Sequence, residues 1–364
     1  MSISTKQSFR DMSASVGLKR QCQDALVCAV DYLVKNLCPL RGWSDFPTNQ
    51  SGESTSWVTA HVLGQTGVIL PHRVLQTSLQ ALLSQQQDPG TWGFSHSTPP
   101  DCDSTLHVLN AIFRLGVKKI NIAEPIRFVL LHQSKQGRFR TYRDKILLAG
   151  YRGTSNDLNY NGWMQPHVCV TAVALETLMH FPDFVPNHVL TNIADFLLET
   201  QTPEGYWESY WWRSKYFATT RIIQQFDSIN NARLKEGILK ALDWLIQSAN
   251  IDGYWDNGYD TGKACPLSTA NCIKALLATE AQPKELIMKG VSWLLQQQNN
   301  DGSWKGIPAL QIPPPHVKNP SDIAVWKVGA RGVGSCCLDE KRIYTTATVA
   351  SAFHRFILER SITG

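Results

Sequence analysis

Two carboxylates one residue apart, Asp101 and Asp103, stand in the run Pro100-Asp101-Cys102-Asp103-Ser104-Thr105-Leu106-His107. Carboxyl groups so placed suit general acid–base work, provided one of them keeps its proton near neutral pH. Burial raises a carboxyl pKa, and a like charge beside it raises it further. Asp103 and Asp101 are therefore a candidate pair of proton donor and tuner. A structural role fits the same residues. An Asp that follows two prolines at a helix start is a good N-cap, and a second acid in the first turn complements the helix dipole. The elements that carry the pair decide between the two roles.

The chain has 364 residues, 43% of them hydrophobic and 18% charged, enough to bury a large core. No apolar run is long enough to span a bilayer, and Met1 to Arg20 lacks the apolar stretch of a secretory signal. Nine cysteines without a C-x-x-C pair argue against a disulfide framework or a four-thiolate zinc site, and for a reducing cytoplasm. A net charge of +5 without a basic helix face argues against nucleic acid as a partner. No metal and no cofactor are expected. Contact with a membrane surface and pairing with a second subunit stay open.

Twelve tryptophans need an explanation, and a repeat supplies it. A Gly-x-aromatic step, or its near equivalent, recurs at Trp43, Trp92, Phe139, Trp207, Trp255 and Trp304, with gaps of 49, 47, 68, 48 and 49 residues. Gln86, Gln133, Gln201 and Gln298 each precede the glycine by four. Cys38 and Ala249 stand at that place in the other two copies. An amphipathic helix comes before each motif, as with Val189, Leu190, Ile193, Ala194 and Leu197. A more uniformly apolar helix follows, as in 268–278. Six such pairs read as an all-α (α/α)6 barrel in one domain over 1–364, with the apolar helices forming an inner ring. Residues 1–18 are expected as a flexible N-terminal segment. Insertions at 140–163 and 305–341 break the period and should hang over one end, the cavity mouth.

Gln201-Thr202-Pro203-Glu204-Gly205-Tyr206-Trp207, with Asp252-Gly253-Tyr254-Trp255 and Asp301-Gly302-Ser303-Trp304, resembles the repeat of the squalene–hopene and oxidosqualene cyclases. The resemblance implies a barrel in which Gln and Trp side chains tie neighbouring helix pairs together. Asp101-Cys102-Asp103-Ser104-Thr105 resembles the family's Asp-x-Asp-Asp-Thr motif, with Ser104 in place of its last Asp. It implies that Asp103 protonates an alkene or epoxide and starts a class II cyclisation without a metal. The expected partner is a hydrophobic isoprenoid or polyene.

Aligning the inner helices on Thr59, Thr105, Thr171, Thr219, Thr269 and Thr346 places Trp57, Asp103, Cys169, Phe217, Leu267 and Tyr344 at one level. The family's helpers of the acid are replaced here by Val173 and Phe217. Cys169, His61, His107 and His167 are the substitutes, though a buried histidine also serves as an ordinary core residue. A nascent carbocation needs π-faces, each desolvated contact contributing roughly 2 kcal/mol. Trp57, Trp211, Phe217 and Tyr344, with Leu267 and Asn271, are the candidate substrate wall. Arg138, Arg140, Arg143, Lys145 and Arg152 are candidates for a diphosphate at the mouth. Two other functions remain open: a non-catalytic lipid- or prenyl-binding or scaffold subunit, and a prenyl transferase. The zinc ligands of the related prenyltransferases are absent, with Cys265 and Leu267 at the matching places.

Overall fold

The computed structural model describes residues 3–118, 120–134, 136–155, 157–260, 262–279 and 283–359. Its helices are α1 (Ile3–Lys35), α2 (Ser56–Thr66), α3 (His72–Leu83), α4 (Cys102–Arg114), α5 (Ala123–Leu130), α6 (Lys145–Arg152) and α7 (Asn161–Met164), then α8 (Val168–Leu178), α9 (Asn187–Thr200), α10 (Tyr216–Ile223), α11 (Ala232–Gln247), α12 (Pro266–Leu276), α13 (Lys284–Gln296) and α14 (Ile343–Leu358). The inner ring is α2, α4, α8, α10, α12 and α14. Each packs on the next, and α14 returns onto α2. The outer helices are α1, α3, α5, α9, α11 and α13. Helical geometry in α1 reaches back to Ile3, through the stretch expected to be flexible.

The repeat has a plain physical basis. In all six units the backbone N–H of the motif aromatic donates to the hydroxyl of the unit's anchoring threonine, from Trp43 to Thr59 at 2.9 Å through Trp304 to Thr346 at 3.3 Å. Each motif tryptophan's indole N–H donates to a carbonyl at the end of its own outer helix, as Trp207 does to Leu197 at 2.7 Å. The indoles therefore close their own units. The crossing to the next unit is made by glutamine: Gln201 Nε2 donates to Gly205 and to Gly237 on α11, and Gln298 Nε2 to Gly302 and to Ala25 on α1. The motif glycine permits this closeness. Gly302 has φ +89°, and a Cβ there would lie 2.2 Å from the Cys28 carbonyl oxygen.

The all-α architecture holds for the ring, but among the described residues five short strands decorate it. β1 (Asp45–Thr48) and β2 (Gly52–Ser54) form an antiparallel hairpin. β3 (Pro308–Ile312), β4 (Lys327–Val328) and β5 (Ser335–Leu338) form a sheet of order β3-β5-β4 within the second insertion. The first insertion folds as α6 and α7. Trp163 Nε1 donates to the Pro313 carbonyl at 2.8 Å, and Gln50 Nε2 to the Tyr151 carbonyl at 3.0 Å. Both insertions and the hairpin thus interlock above the N-terminal ends of the inner helices.

Candidate functional site

At that end the ring encloses a cavity of about 350 Å³. Its aromatic wall is Trp57, Phe94, Tyr142, Trp163, Trp211 and Trp212. The first insertion contributes Tyr142, Leu148, Tyr151, Arg152 and Trp163. The second contributes Leu310, Gln311, Ile312, Arg331, Gly332 and Val333, and the hairpin and its turn add Thr48 to Ser51. Asp101, Asp103 and Ser104 reach it from the start of α4.

The two carboxyls do different jobs. Asp101 is the N-cap of α4: one oxygen accepts from the Ser104 backbone N–H at 2.8 Å and the other from the Ser104 hydroxyl at 2.7 Å. Ser104, the departure from the family motif, thus anchors the cap. Burial pushes the Asp101 carboxyl up to about 7, and the Asp103 charge adds to the shift. Asp103 keeps a side chain 19% exposed in the first turn. Burial raises it to about 6, while the Arg221 guanidinium and the Trp57 indole N–H pull the other way. The like-charge shift falls on Asp101 and not, as expected, on Asp103. Beside the acid, His107 Nε2 lies 4.0 Å from Asp103 Oδ2, and its ring meets the Trp57 edge at 5.7 Å.

The remaining candidates separate into places. Trp57 and Trp211 line the cavity. Phe217 does not, because the Trp212 indole is stacked on it at 3.9 Å and takes the cavity-facing place. Trp212 belongs to the run Tyr210-Trp211-Trp212, which was its only signal in the sequence. Tyr344 is buried against Trp57, Phe46 and Trp212, and lines a second, lower cavity with Phe217, Asn271 and His61. Leu267 is buried and lines neither. His61 Nε2 bonds the Thr348 hydroxyl at 2.9 Å under a stacked Tyr344 ring, away from the acid. His167 stacks on Tyr210 at 3.9 Å and bonds the Gly162 carbonyl, holding the Trp211 segment. Burial raises the Cys169 thiol to about 12, so it stays neutral. Arg138 pairs with Glu199 on α9, and of the five basic residues proposed for the mouth only Arg152 lines the cavity. Its guanidinium lies 4.7 Å over Trp163. Arg331, which carried no signal in the sequence, joins it there and pairs with Glu340.

Beneath lies a polar floor. Gln65, Arg114, Glu176, Gln224, Lys274 and Arg355 converge there, one from the C-terminal part of each inner helix. Glu176 accepts from Arg221 at 2.5 Å, Asn110 at 2.7 Å and Arg114 at 3.1 Å, and these hold it far below the usual carboxylate range. Lys274 is 3% exposed, donates to Gln65 at 2.8 Å, and is pushed well below its ordinary pKa by burial. No helix among the described residues is long and apolar enough to cross a membrane.

Comparison with known proteins bears on this site. Residues 50–309 match the squalene–hopene cyclase C-terminal domain family. A squalene–hopene cyclase from Alicyclobacillus acidocaldarius is 29% identical over 239 residues, 58% of this chain and 36% of the relative. A copalyl diphosphate synthase from Streptomyces anulatus is 28% identical over 87 residues, 24% of this chain and 15% of the relative. The chain therefore matches well under half the length of these curated relatives. Among solved structures, a variant of the type II terpene cyclase MstE from Scytonema, in complex with geranylgeranyl dihydroxybenzoate (substrate), is 25% identical with a TM-score of 0.84, covering 94% of this chain and 99% of that chain.

Proposed function

The chain belongs to the squalene–hopene cyclase C-terminal domain family, and from this we infer that it is a class II terpene cyclase-like enzyme. Asp103 adds its proton to one carbon of a terminal alkene. The π-electrons form the new C–H bond, and a tertiary cation forms at the other carbon. Internal double bonds then close rings, and loss of a proton ends the sequence with Asp103 left as carboxylate. Initiation is by proton transfer and not by departure of a diphosphate.

One observation carries this reading: a carboxyl whose pKa burial has raised, at the base of a cavity walled by Trp57, Phe94, Trp211 and Trp212. Such faces stabilise a cation without offering it a nucleophile. A cavity of about 350 Å³ is at the lower end of the roughly 300–1,000 Å³ range of ligand sites, which favours a single short isoprenoid chain. Arg152 and Arg331 at the mouth suit a substrate with an anionic head, and Arg offers planar paired donors to such a group.

Incubation of the purified protein with geranylgeranyl dihydroxybenzoate, geranylgeranyl diphosphate and squalene, with products read by mass spectrometry, tests the proposal. A cyclised product from a C20 substrate is expected. Asp103→Asn should reduce its formation by about a hundredfold to ten-thousandfold with an unchanged circular dichroism spectrum. Undiminished product from that variant, or no cyclised product from any of the three, would overturn the assignment.

A further inference from the structure

The upper cavity ends on a septum two aromatic rings thick. Trp57 and Trp212 line that cavity, while Phe217 and Tyr344 line the lower one. The rings are paired face to face across the boundary, Trp212 on Phe217 at 3.9 Å and Trp57 on Tyr344 at 5.3 Å. Phe46 of β1 wedges the pairs together, meeting Trp212 at 6.3 Å and Tyr344 at 5.4 Å in T-shaped contacts. Charge lies directly beneath. The Arg221 guanidinium is 4.7 Å from the centre of the Phe217 ring, and the His61 ring is stacked on Tyr344 at 3.5 Å. The lower cavity, of about 10 Å³, has room for a single water and for no hydrocarbon. The depth open to a chain that enters from the mouth is therefore fixed by the upper rings of the septum.

The two upper rings are mounted differently. Trp57 belongs to the inner helix α2 and bears on the acid through its indole N–H. Trp212 precedes α10 and belongs to no inner helix. Its segment is pinned to β3 of the second insertion: the Arg213 N–H donates to the Ala309 carbonyl at 2.8 Å, and the Gln311 N–H to the Trp211 carbonyl at 2.9 Å. The insertion thus lays an extra ring over Phe217, whose own ring would otherwise end the cavity at a lower level.

With the cavity read as an isoprenoid site, as proposed above, we propose that Trp212 sets the length of chain accepted, stopping a C20 chain at the septum and refusing a C25 chain. One methylene too many in a filled apolar pocket costs roughly 10–200-fold, and a further isoprene unit brings five carbons. They cannot pass the septum without displacing a stacked ring, and beyond it they would meet the guanidinium of Arg221. A smaller side chain in place of the indole moves the end of the cavity down to Phe217 on the α10 side. Trp57 and Asp103 stay where they are, on α2 and α4.

Dissociation constants of farnesyl, geranylgeranyl and geranylfarnesyl diphosphate test the assignment, measured by calorimetry on the full chain carrying Asp103→Asn so that nothing turns over. These ligands share a head and differ by one isoprene unit. With Trp212 present, the C20 chain should bind at least about tenfold tighter than the C25 chain. Adding Trp212→Ala should bring the two within about threefold of each other and change the C15 affinity by less than about threefold. Trp212→Phe keeps a ring in the septum, should the alanine variant not fold, and is expected to give an intermediate ratio. An unchanged ratio of C25 to C20 affinity would overturn the assignment, as would an equal loss on all three chains, which marks a packing residue. A ring that served only the cation would lower turnover on every chain and leave the binding ratio alone, which overturns it too. Binding of none of the three would overturn it together with the isoprenoid reading. A shifted ratio, with no cyclised product from the protein that retains Asp103, would support the length limit and fail only the acid.

Discussion

The two ends of the inner ring are built from the same six helices and are chemically opposite. The upper end gathers helix N-termini around aromatic rings and two carboxyls of raised pKa. The lower end gathers helix C-termini around Arg114, Arg221, Lys274 and Arg355, with Glu176 as the one carboxylate among the residues lining that cavity. A helix C-terminus carries roughly half a negative charge, so six of them supply about three. Arg114, Arg221 and Arg355 with Glu176 supply two positive charges in return, while Lys274 is held well below its ordinary pKa by burial. The arginines of the floor thereby offset part of the field of a parallel ring of dipoles. At the upper end the carboxyls of Asp101 and Asp103 are raised by burial, where the lower one is satisfied by arginine.

That contrast can be broken by exchanging charge for neutrality at each end. Glu176→Gln leaves Arg114 and Arg221 without their common partner. Breaking a buried pair in this way should cost about 3–5 kcal/mol, read as a lowered midpoint in chemical unfolding. Equal stability of variant and wild type would mean that the floor is not held by its ion pairs.

The opposite sign is expected above. The folded pKa of Asp103 lies above its ordinary value of 3.8, so its contribution to stability is fully present below that value and is lost as pH rises through about 6. Asp103→Asn should therefore match the wild type near pH 4 and exceed it by about 3 kcal/mol at pH 8, while losing activity. Thermal unfolding across this pH range checks the crossing. A variant less stable than the wild type at pH 8 would place Asp103 among groups that favour folding.

The smallest effect concerns rate. A proton donor acts only in its protonated form, so kcat/KM should be level below pH 6 and fall about tenfold per unit above it. A profile that rises through this range would assign Asp103 the part of a base.

The repeat was legible in the sequence because each unit is written locally. The glycine, the aromatic and the threonine that accepts its N–H sit within one unit, and all six aligned threonines make that bond. The position of Asp101 at a helix start was legible for the same reason, and so was the direction in which burial moves Asp103. Where the side chains of different units meet was not. Trp212 covers Phe217, and Tyr344 turns toward the lower cavity, because the loops before α10 and α14 decide which ring fills the upper space. Arg331 and the β1–β2 hairpin reach the mouth through pairings hundreds of residues apart, such as Asn49 N–H to the Arg331 carbonyl at 2.8 Å.

The chain by itself determined the helical unit, its number and the helix start that carries Asp101 and Asp103, since capping, turn conformation and amphipathic spacing act over a few residues. Only the closed ring decided the floor. Gln65, Arg114, Glu176, Gln224, Lys274 and Arg355 lie five to nine residues beyond the six threonines and appear as unrelated surface residues until α14 meets α2. Charges so far apart in sequence acquire a common meaning only when the helix ends that they neutralise are brought to one point.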